Sequence, residues 1–261
     1  MLLLISSLLL MSCGADKYMK KGEKFLALGE YYDAADQFKQ AYTRTPAKER
    51  DTRGKRALKM AQCYQRINAT PKAIAAYRNA IRYNQASKED QLAYARQLLK
   101  NGDYRQAEKV FLMLKDSMPG NQLVANGLKS AQMAPEWKKQ GSRYIVKRMD
   151  VFNSRRHDYS PVLFGDDYDQ LYFTSTRNEA LGDELSGITG TKAGDIFLSE
   201  KDDRGKWSKP EAIGTGLNTD YDEGACCFTP DGREMYLTQC VTDPSSPRYA
   251  QIATSPRSMS S

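Results

Sequence analysis

Small and apolar residues recur at helical intervals from residue 15 to residue 134; beyond Gly141 they give way to short alternating runs rich in Tyr, Phe, Thr and Val, separated by Asp, Gly and Asn. The pattern predicts a helical first half and an all-β second half. Ahead of both stands Met1-Leu-Leu-Leu-Ile-Ser-Ser-Leu-Leu-Leu-Met-Ser-Cys13, an apolar run too short to span a bilayer as a helix but of the length of an export-signal core.

The helical half repeats itself. Gly22, Phe25, Gly29, Tyr31, Ala34, Phe38, Ala41 and Pro46 are followed by Ala61, Tyr64, Ala73, Tyr77 and Ala80, and then by Ala95, Leu98, Gly102, Tyr104, Ala107, Phe111, Leu114 and Pro119. From Ala34 to Ala73 to Ala107 the steps are 39 and 34 residues, so the first step carries a five-residue insertion, placed around Lys48 to Thr52. Small residues let paired helices approach, aromatics fill the space between them, and Gly or Pro ends each helix. Period and residue types resemble the tetratricopeptide repeat, three copies of it. A further helix, Asn121 to Ala134, carries Leu123, Val124, Leu128 and Ala131 and is expected to cap the last repeat, closed by Pro135. The resemblance implies a superhelix whose concave face, lined by the first helix of each pair, binds extended peptides or partner helices. On that face Glu23, Lys55, Gln62, Gln65, Arg66, Arg96 and Lys100 are the candidate groove residues. Mostly basic or polar, they suit an acidic or C-terminal segment of another protein.

In the β half two segments echo each other. Ser160 to Phe164 and Leu171 to Ser175 match Ala225 to Thr229 and Met235 to Thr238, with Phe164 and Phe228 each eight residues before a Tyr, at 172 and 236. Acidic turns, Gly165 to Asp169 and Pro230 to Arg233, join the pairs as hairpins. Asp195 to Ser199 reads as a third strand and Trp207 to Ile213 as a fourth, which makes a propeller blade; the second copy reaches a third strand at Ala250 to Thr254, followed by a Ser-rich tail. The pattern resembles the WD40-like repeat called PD40, here with about two blades, the second incomplete.

Charge divides along the same line. Residues 14 to 140 carry 25 Lys or Arg against 13 Asp or Glu, and residues 141 to 261 carry 14 against 19, within a net charge of +7. The positive residues are spread at helical intervals and never form a run, so a nucleic-acid partner is not expected. His157 is the sole histidine and lies in the basic stretch Arg155-Arg156-His157. No Gly-x-Ser-x-Gly elbow or phosphate-binding glycine loop appears, and the carboxylates fall in turns, so neither enzymatic activity nor a cofactor is expected. Asn218, Asp220, Asp222 and Glu223 lack the glycine and terminal acid of an EF-hand loop and read as a polar inter-blade connection, with no metal site.

Leu10-Met11-Ser12-Cys13 resembles the lipobox of bacterial lipoproteins, where the Cys becomes the acylated first residue; Cys13 is therefore the candidate lipidation site. Export places the remaining cysteines in an oxidising compartment. Cys63 falls in a helical pattern and reads as a core residue, and a disulfide between Cys227 and Cys240 is the candidate bridge.

The order of parts divides the chain into a signal peptide (1–12), a tetratricopeptide-repeat array with capping helix (13–134), a linker and first strand (135–150) and propeller blades (151–261). The fold class is then α + β multidomain, an α-solenoid followed by an incomplete all-β propeller. This order, with Trp137 in the linker, Tyr159-Ser-Pro161 and Leu171-Tyr-Phe-Thr-Ser175, is similar to the PorE-like envelope lipoproteins of the type IX secretion system. That resemblance implies a non-enzymatic scaffold, lipid-anchored in the outer membrane on the periplasmic side and partnered by envelope or secretion-system proteins. It also implies a complete propeller and an OmpA-like domain that contacts peptidoglycan, neither of which falls within these 261 residues. The competing expectation is an accessory or remnant of a propeller-containing hydrolase or carbohydrate-binding protein.

Overall fold

A computed structural model describes residues 2–182, 184–214, 216–241 and 249–256; for residues 2–13, Val241 and Tyr249 only the backbone is described. The chain divides into two compact units, residues 1–144 with 187–189, and residues 145–186 with 190–261.

Among the described residues of the first unit seven helices follow in order: α1 (Leu2–Ala27), α2 (Tyr31–Arg44), α3 (Arg50–Arg66), α4 (Thr70–Arg82), α5 (Lys88–Lys100), α6 (Tyr104–Ser117) and α7 (Gln122–Gln140). The first six form three antiparallel hairpins, and the turns explain their identity. Gly29, Asn68 and Gly102, separated by the same 39 and 34 residues, all take positive φ, of 76°, 57° and 84°. Behind each the following backbone N–H reaches back to the helix it leaves: Glu30 to the Phe25 carbonyl, Ala69 to Tyr64 and Asp103 to Leu98, each at 2.9 Å. This is the left-handed helix stop that glycine, and less readily asparagine, supports. One turn geometry used three times sets one hairpin geometry.

The repeat positions read from the sequence form the core. Ala34, Phe38, Ala41, Ala61, Ala73, Ala80, Ala95, Leu98, Ala107 and Phe111 are fully enclosed, and Tyr77 and Leu114 nearly so. Close approach is a steric requirement here: a methyl on Gly22 would stand 2.6 Å from the Phe38 ring. The insertion is absorbed largely in α3, which has 17 residues where α5 has 13.

The capping helix differs from expectation at both ends of its description. Leu123 is exposed, and the packing face is Val124, Gly127 and Ala131, with Leu128 partly buried. Gly127 admits the Phe111 ring so closely that a Cβ there would stand 2.3 Å from it. Pro135 does not close α7, which runs on to Gln140 and stops at Gly141, φ 68°. A proline forfeits one backbone bond and crowds the preceding turn, but residues 136–140 are good helix formers, and the missing bond falls on an exposed stretch.

In the second unit a four-stranded antiparallel sheet, β1 (Asp158–Phe164), β2 (Gln170–Ser175), β3 (Asp195–Glu200) and β4 (Glu211–Ala212), is followed by a three-stranded one, β5 (Glu223–Phe228), β6 (Glu234–Val241) and β7 (Tyr249–Pro256). Both are meanders in sequence order. The expected fourth strand shrinks to Glu211–Ala212, with Trp207 held by an isolated bridge to Lys201. At the other end β7 takes in Ser255 and Pro256, which the sequence assigned to the tail.

The sheets repeat a common irregularity. Each has a bulge in its first strand, between Tyr159 and Val162 and between Gly224 and Cys227, and each bulge holds a non-glycine residue at positive φ, Ser160 at 51° and Ala225 at 47°. Ladder register departs from the sequence match at the turns. Phe164 lies opposite Gln170, whereas Phe228 lies opposite Met235, the place Leu163 fills opposite Leu171. The second hairpin gains one more closing bond, Thr229 N–H to Glu234 O at 3.0 Å, so its loop is shorter by a residue. Phe164 and Phe228 nevertheless meet, ring centroids 4.3 Å apart, within the core of Tyr172, Ile196, Cys226, Met235 and Leu237 that joins the sheets.

The expected bridge between Cys227 and Cys240 is not formed, and register explains it. Cys227 lies opposite Tyr236, four residues from Cys240 along β6, and Cys240 lies opposite Ala250. Four strand positions separate the two by about 13 Å, well beyond the reach of a disulfide.

Candidate functional site: a cleft on the helical array

A cleft of about 630 Å³ opens on the helical unit, lined by Leu26 of α1, Tyr31 of α2, Gln62, Gln65 and Arg66 of α3, Tyr77 of α4 and Glu89, Asp90 and Ala93 of α5. Each side chain is placed by a local device. Tyr31 follows the Gly29 turn. Asp90 is the third residue of a capping box: its backbone N–H donates to Ser87 Oγ at 3.1 Å and its carboxylate accepts the Ser87 N–H at 3.0 Å. The other carboxylate oxygen accepts from Gln62 Nε2 at 3.1 Å, which links α5 to α3.

The floor is aromatic and polar. Tyr77 donates its hydroxyl to Gln65 Oε1 at 2.5 Å, and burial, helped by the Asp90 carboxylate, pushes its phenol well above the usual range while Arg66 opposes the shift. The Arg66 guanidinium lies over the Tyr31 ring, 5.8 Å from its centroid. Beneath the cleft Cys63 is enclosed in the core, and burial pushes its thiol up to about 11, so it stays a neutral packing residue.

Of the seven groove candidates, the cleft gathers Gln62, Gln65 and Arg66 and leaves out the other four. Glu23 pairs with Lys59 at 3.1 Å, Lys100 donates to Asn68 Oδ1 at 2.7 Å, and Lys55 and Arg96 are exposed elsewhere on their helices. The cleft itself is mixed in charge, with the Arg66 guanidinium and the Glu89 and Asp90 carboxylates in its lining. Both acids had a signal in the sequence, since Ser87 to Asp90 has capping-box spacing and starts a first helix, but periodicity alone does not say which exposed residues of neighbouring helices converge.

Elsewhere the sequence-singled residues have structural partners. Asn218 is enclosed and bonds the backbone of Ile196 through both side-chain atoms and the Ile213 carbonyl; Asp222 accepts from Gly194 N–H at 2.8 Å, and Glu223 accepts from Thr219 at 2.6 and 2.7 Å. These side chains tie β5 and its approach to the end of β3. His157 is exposed, its N–H donating to Thr176 Oγ1. Among the described residues no group of three or more His, Cys, Asp or Glu is arranged to hold a metal ion, and no helix is long and apolar enough to cross a membrane. The Cys13 side chain lies outside the described residues.

No family model matches the sequence, and no curated protein matches it. Solved structures similar to the chain include the C-terminal TPR-containing domain of a Plasmodium falciparum FK506-binding protein, at 15% identity and TM-score 0.42, covering 50% of this chain and 94% of that one. The first TPR of Spaghetti bound to an HSP90 peptide is 18% identical, TM-score 0.39, covering 48% and 95%. The Sgt2 TPR domain of Aspergillus fumigatus is 19% identical, TM-score 0.38, covering 52% and 88%.

Proposed function

We propose that the chain is a non-enzymatic scaffold that binds a partner protein through the cleft of its helical array. The observation that carries this reading is the cleft itself: three helical hairpins present two tyrosines, two glutamines and charges of both signs in one open recess. The half-buried Tyr31 ring, flanked by polar groups over the enclosed Tyr77, is the kind of anchor on which extended peptides dock. Because Arg66, Glu89 and Asp90 all line the recess, the fitting segment is an extended one bearing charges of both signs. In the same reading Cys13 is acylated, the scaffold sits at the periplasmic side of the outer membrane, the two meanders are propeller blades, and the partners are envelope or type IX secretion proteins. That part rests on Leu10 to Cys13 and on the order of parts.

The test is capture of partners from detergent-solubilised membranes by the wild type and two variants. Arg66→Glu, inside the cleft, should weaken the captured interaction about tenfold, while Arg96→Glu, outside it, leaves binding unchanged. Equal losses, or none with Arg66→Glu, would move the interface away from the cleft. Labelling with a palmitate analogue tests the anchor separately: an unlabelled protein would end the lipoprotein reading.

A further inference from the structure

The first helix sorts its charges by face. Between Gly14 and Leu28 it carries Asp16, Glu23, Lys17, Lys20, Lys21 and Lys24. Both acids are neutralised by α3: Asp16 bonds the Arg56 guanidinium at 2.5 Å, and Glu23 meets Lys59 at 3.1 Å. Met19 and Phe25 pack against the core, and Gly22 sits on Phe38. The four lysines are all exposed, and among the described residues none of them forms an ion pair. At about 100° of rotation per residue, positions 17, 20, 21, 24 and 28 fall on one side of the helix, within a stripe roughly 100° wide. Leu28, 47% exposed, continues that stripe, and the Lys21 ammonium stands 5.5 Å from the Phe25 ring centroid.

We propose that this lysine face docks on an anionic phospholipid bilayer. The inference rests on the proposed anchor only for its setting: Cys13 stands four residues before Lys17 in the sequence, so an acylated chain would hold the stripe beside headgroups. The charge pattern chooses lipid over a protein partner. Lysine ammonium groups are compact point charges that suit the diffuse negative charge of a headgroup layer, whereas recognition of a defined carboxylate favours the arginine fork, and the stripe contains no arginine. An apolar residue at the end of a basic stripe, here Leu28, is what an interfacial helix inserts at the acyl boundary.

Each lysine near an anionic surface multiplies binding by about fivefold, and four together by several hundredfold at low salt. The experiment uses the full chain with Cys13→Ala, so that no acyl group contributes. Its binding is measured to vesicles of phosphatidylcholine alone and of phosphatidylcholine with phosphatidylglycerol. Insertion of the apolar N-terminal run affects both vesicles alike and cancels in the ratio. The expected result is a preference of about 100-fold or more for the anionic vesicles, erased by high salt and reduced to about fivefold or less by Lys17→Gln, Lys20→Gln, Lys21→Gln and Lys24→Gln combined. Equal binding to both vesicles overturns the proposal, as does a preference that survives the fourfold substitution. Binding to polyglutamate without any vesicle preference also overturns it and gives the face to an acidic protein. Acylation is read independently from the mass of the protein extracted from membranes. A missing acyl group with an intact lipid preference removes only the anchor; an acylated protein without the preference removes only the docking face.

Discussion

Among the described residues the helical unit encloses twenty-four apolar side chains, twelve of them alanines, and four polar ones; the sheet unit encloses ten apolar and nine polar. The two halves thus reach stability by different routes. In the helices small side chains bring backbones together, each helix satisfies its own backbone, and little polar surface needs a partner. The sheets are held where loops cross strand ends, and there buried polar groups take the place of apolar bulk. Arg177 is the clearest example: nearly enclosed, it donates to Asp158 Oδ1 at 2.8 Å, to the Phe152 carbonyl at 2.6 Å and to Ser175 Oγ at 2.9 Å, with Phe173 and Phe197 4.7–5.0 Å from its guanidinium. Burial opposes ionisation of Asp158, yet hydrogen bonds from Ser175, Arg177 and Ser154 hold its carboxyl below the usual range.

This contrast can be broken most directly at that pair. Arg177→Met leaves Asp158 buried with an unpaired charge, and the sheet unit should lose about 3–5 kcal/mol. In a Trp137→Phe background, denaturant unfolding followed by Trp207 fluorescence and by far-ultraviolet dichroism should show the sheet transition moving to lower denaturant while the helical signal stays. If the two signals shift together, the units do not unfold separately.

On the helical side the equivalent weak point is steric. Gly127→Val places new atoms against the Phe111 ring and should cost about 1–3 kcal/mol, with Gly127→Ala milder because alanine's helix propensity offsets part of the crowding. A Phe111→Leu change that recovers stability in the Gly127→Val background would locate the strain; no recovery would assign the loss to something other than that contact.

The smallest effect is a pH dependence confined to the sheets. Asp195 is fully enclosed, its Oδ2 accepts from Leu181 N–H at 2.7 Å, its Oδ1 has no hydrogen-bond partner among the described residues, and burial, aided by the Glu223 and Asp222 charges and opposed by Lys192, pushes it up to about 6. Glu223 is raised as well, chiefly by burial, against the lowering effect of its bonds from Thr219. A raised carboxyl binds its proton more tightly in the folded chain. Its contribution is therefore complete below the unfolded value near 4 and lost as pH rises through about 6. The sheet transition should weaken by about 1–2 kcal/mol over that window, and Asp195→Asn should flatten the dependence. Asp158 works in the opposite direction, withdrawing stability as pH falls below the ordinary carboxyl range, so the two effects separate at different ends of the titration.

What the sequence by itself determined is whatever repeats locally. The hairpin period, the enclosed alanines and aromatics, the Gly29 and Gly102 turns and six of the seven strands among the described residues follow from residue type and spacing, because turn geometry and face alternation involve neighbours a few positions apart. The tertiary structure alone decided what depends on side chains meeting across elements. Arg56 finds Asp16 forty residues away and Gln62 finds Asp90 across twenty-eight, so the cleft is mixed in charge although the half that builds it is basic. One closing bond in the second hairpin displaces Phe228 from the register of Phe164, and β-strand rise keeps Cys227 from Cys240. Pro135 stays inside α7 because helix formers follow it. In each case the residue types were visible in the chain, but distance and burial set their partners, and those exist only once the helices and sheets have packed.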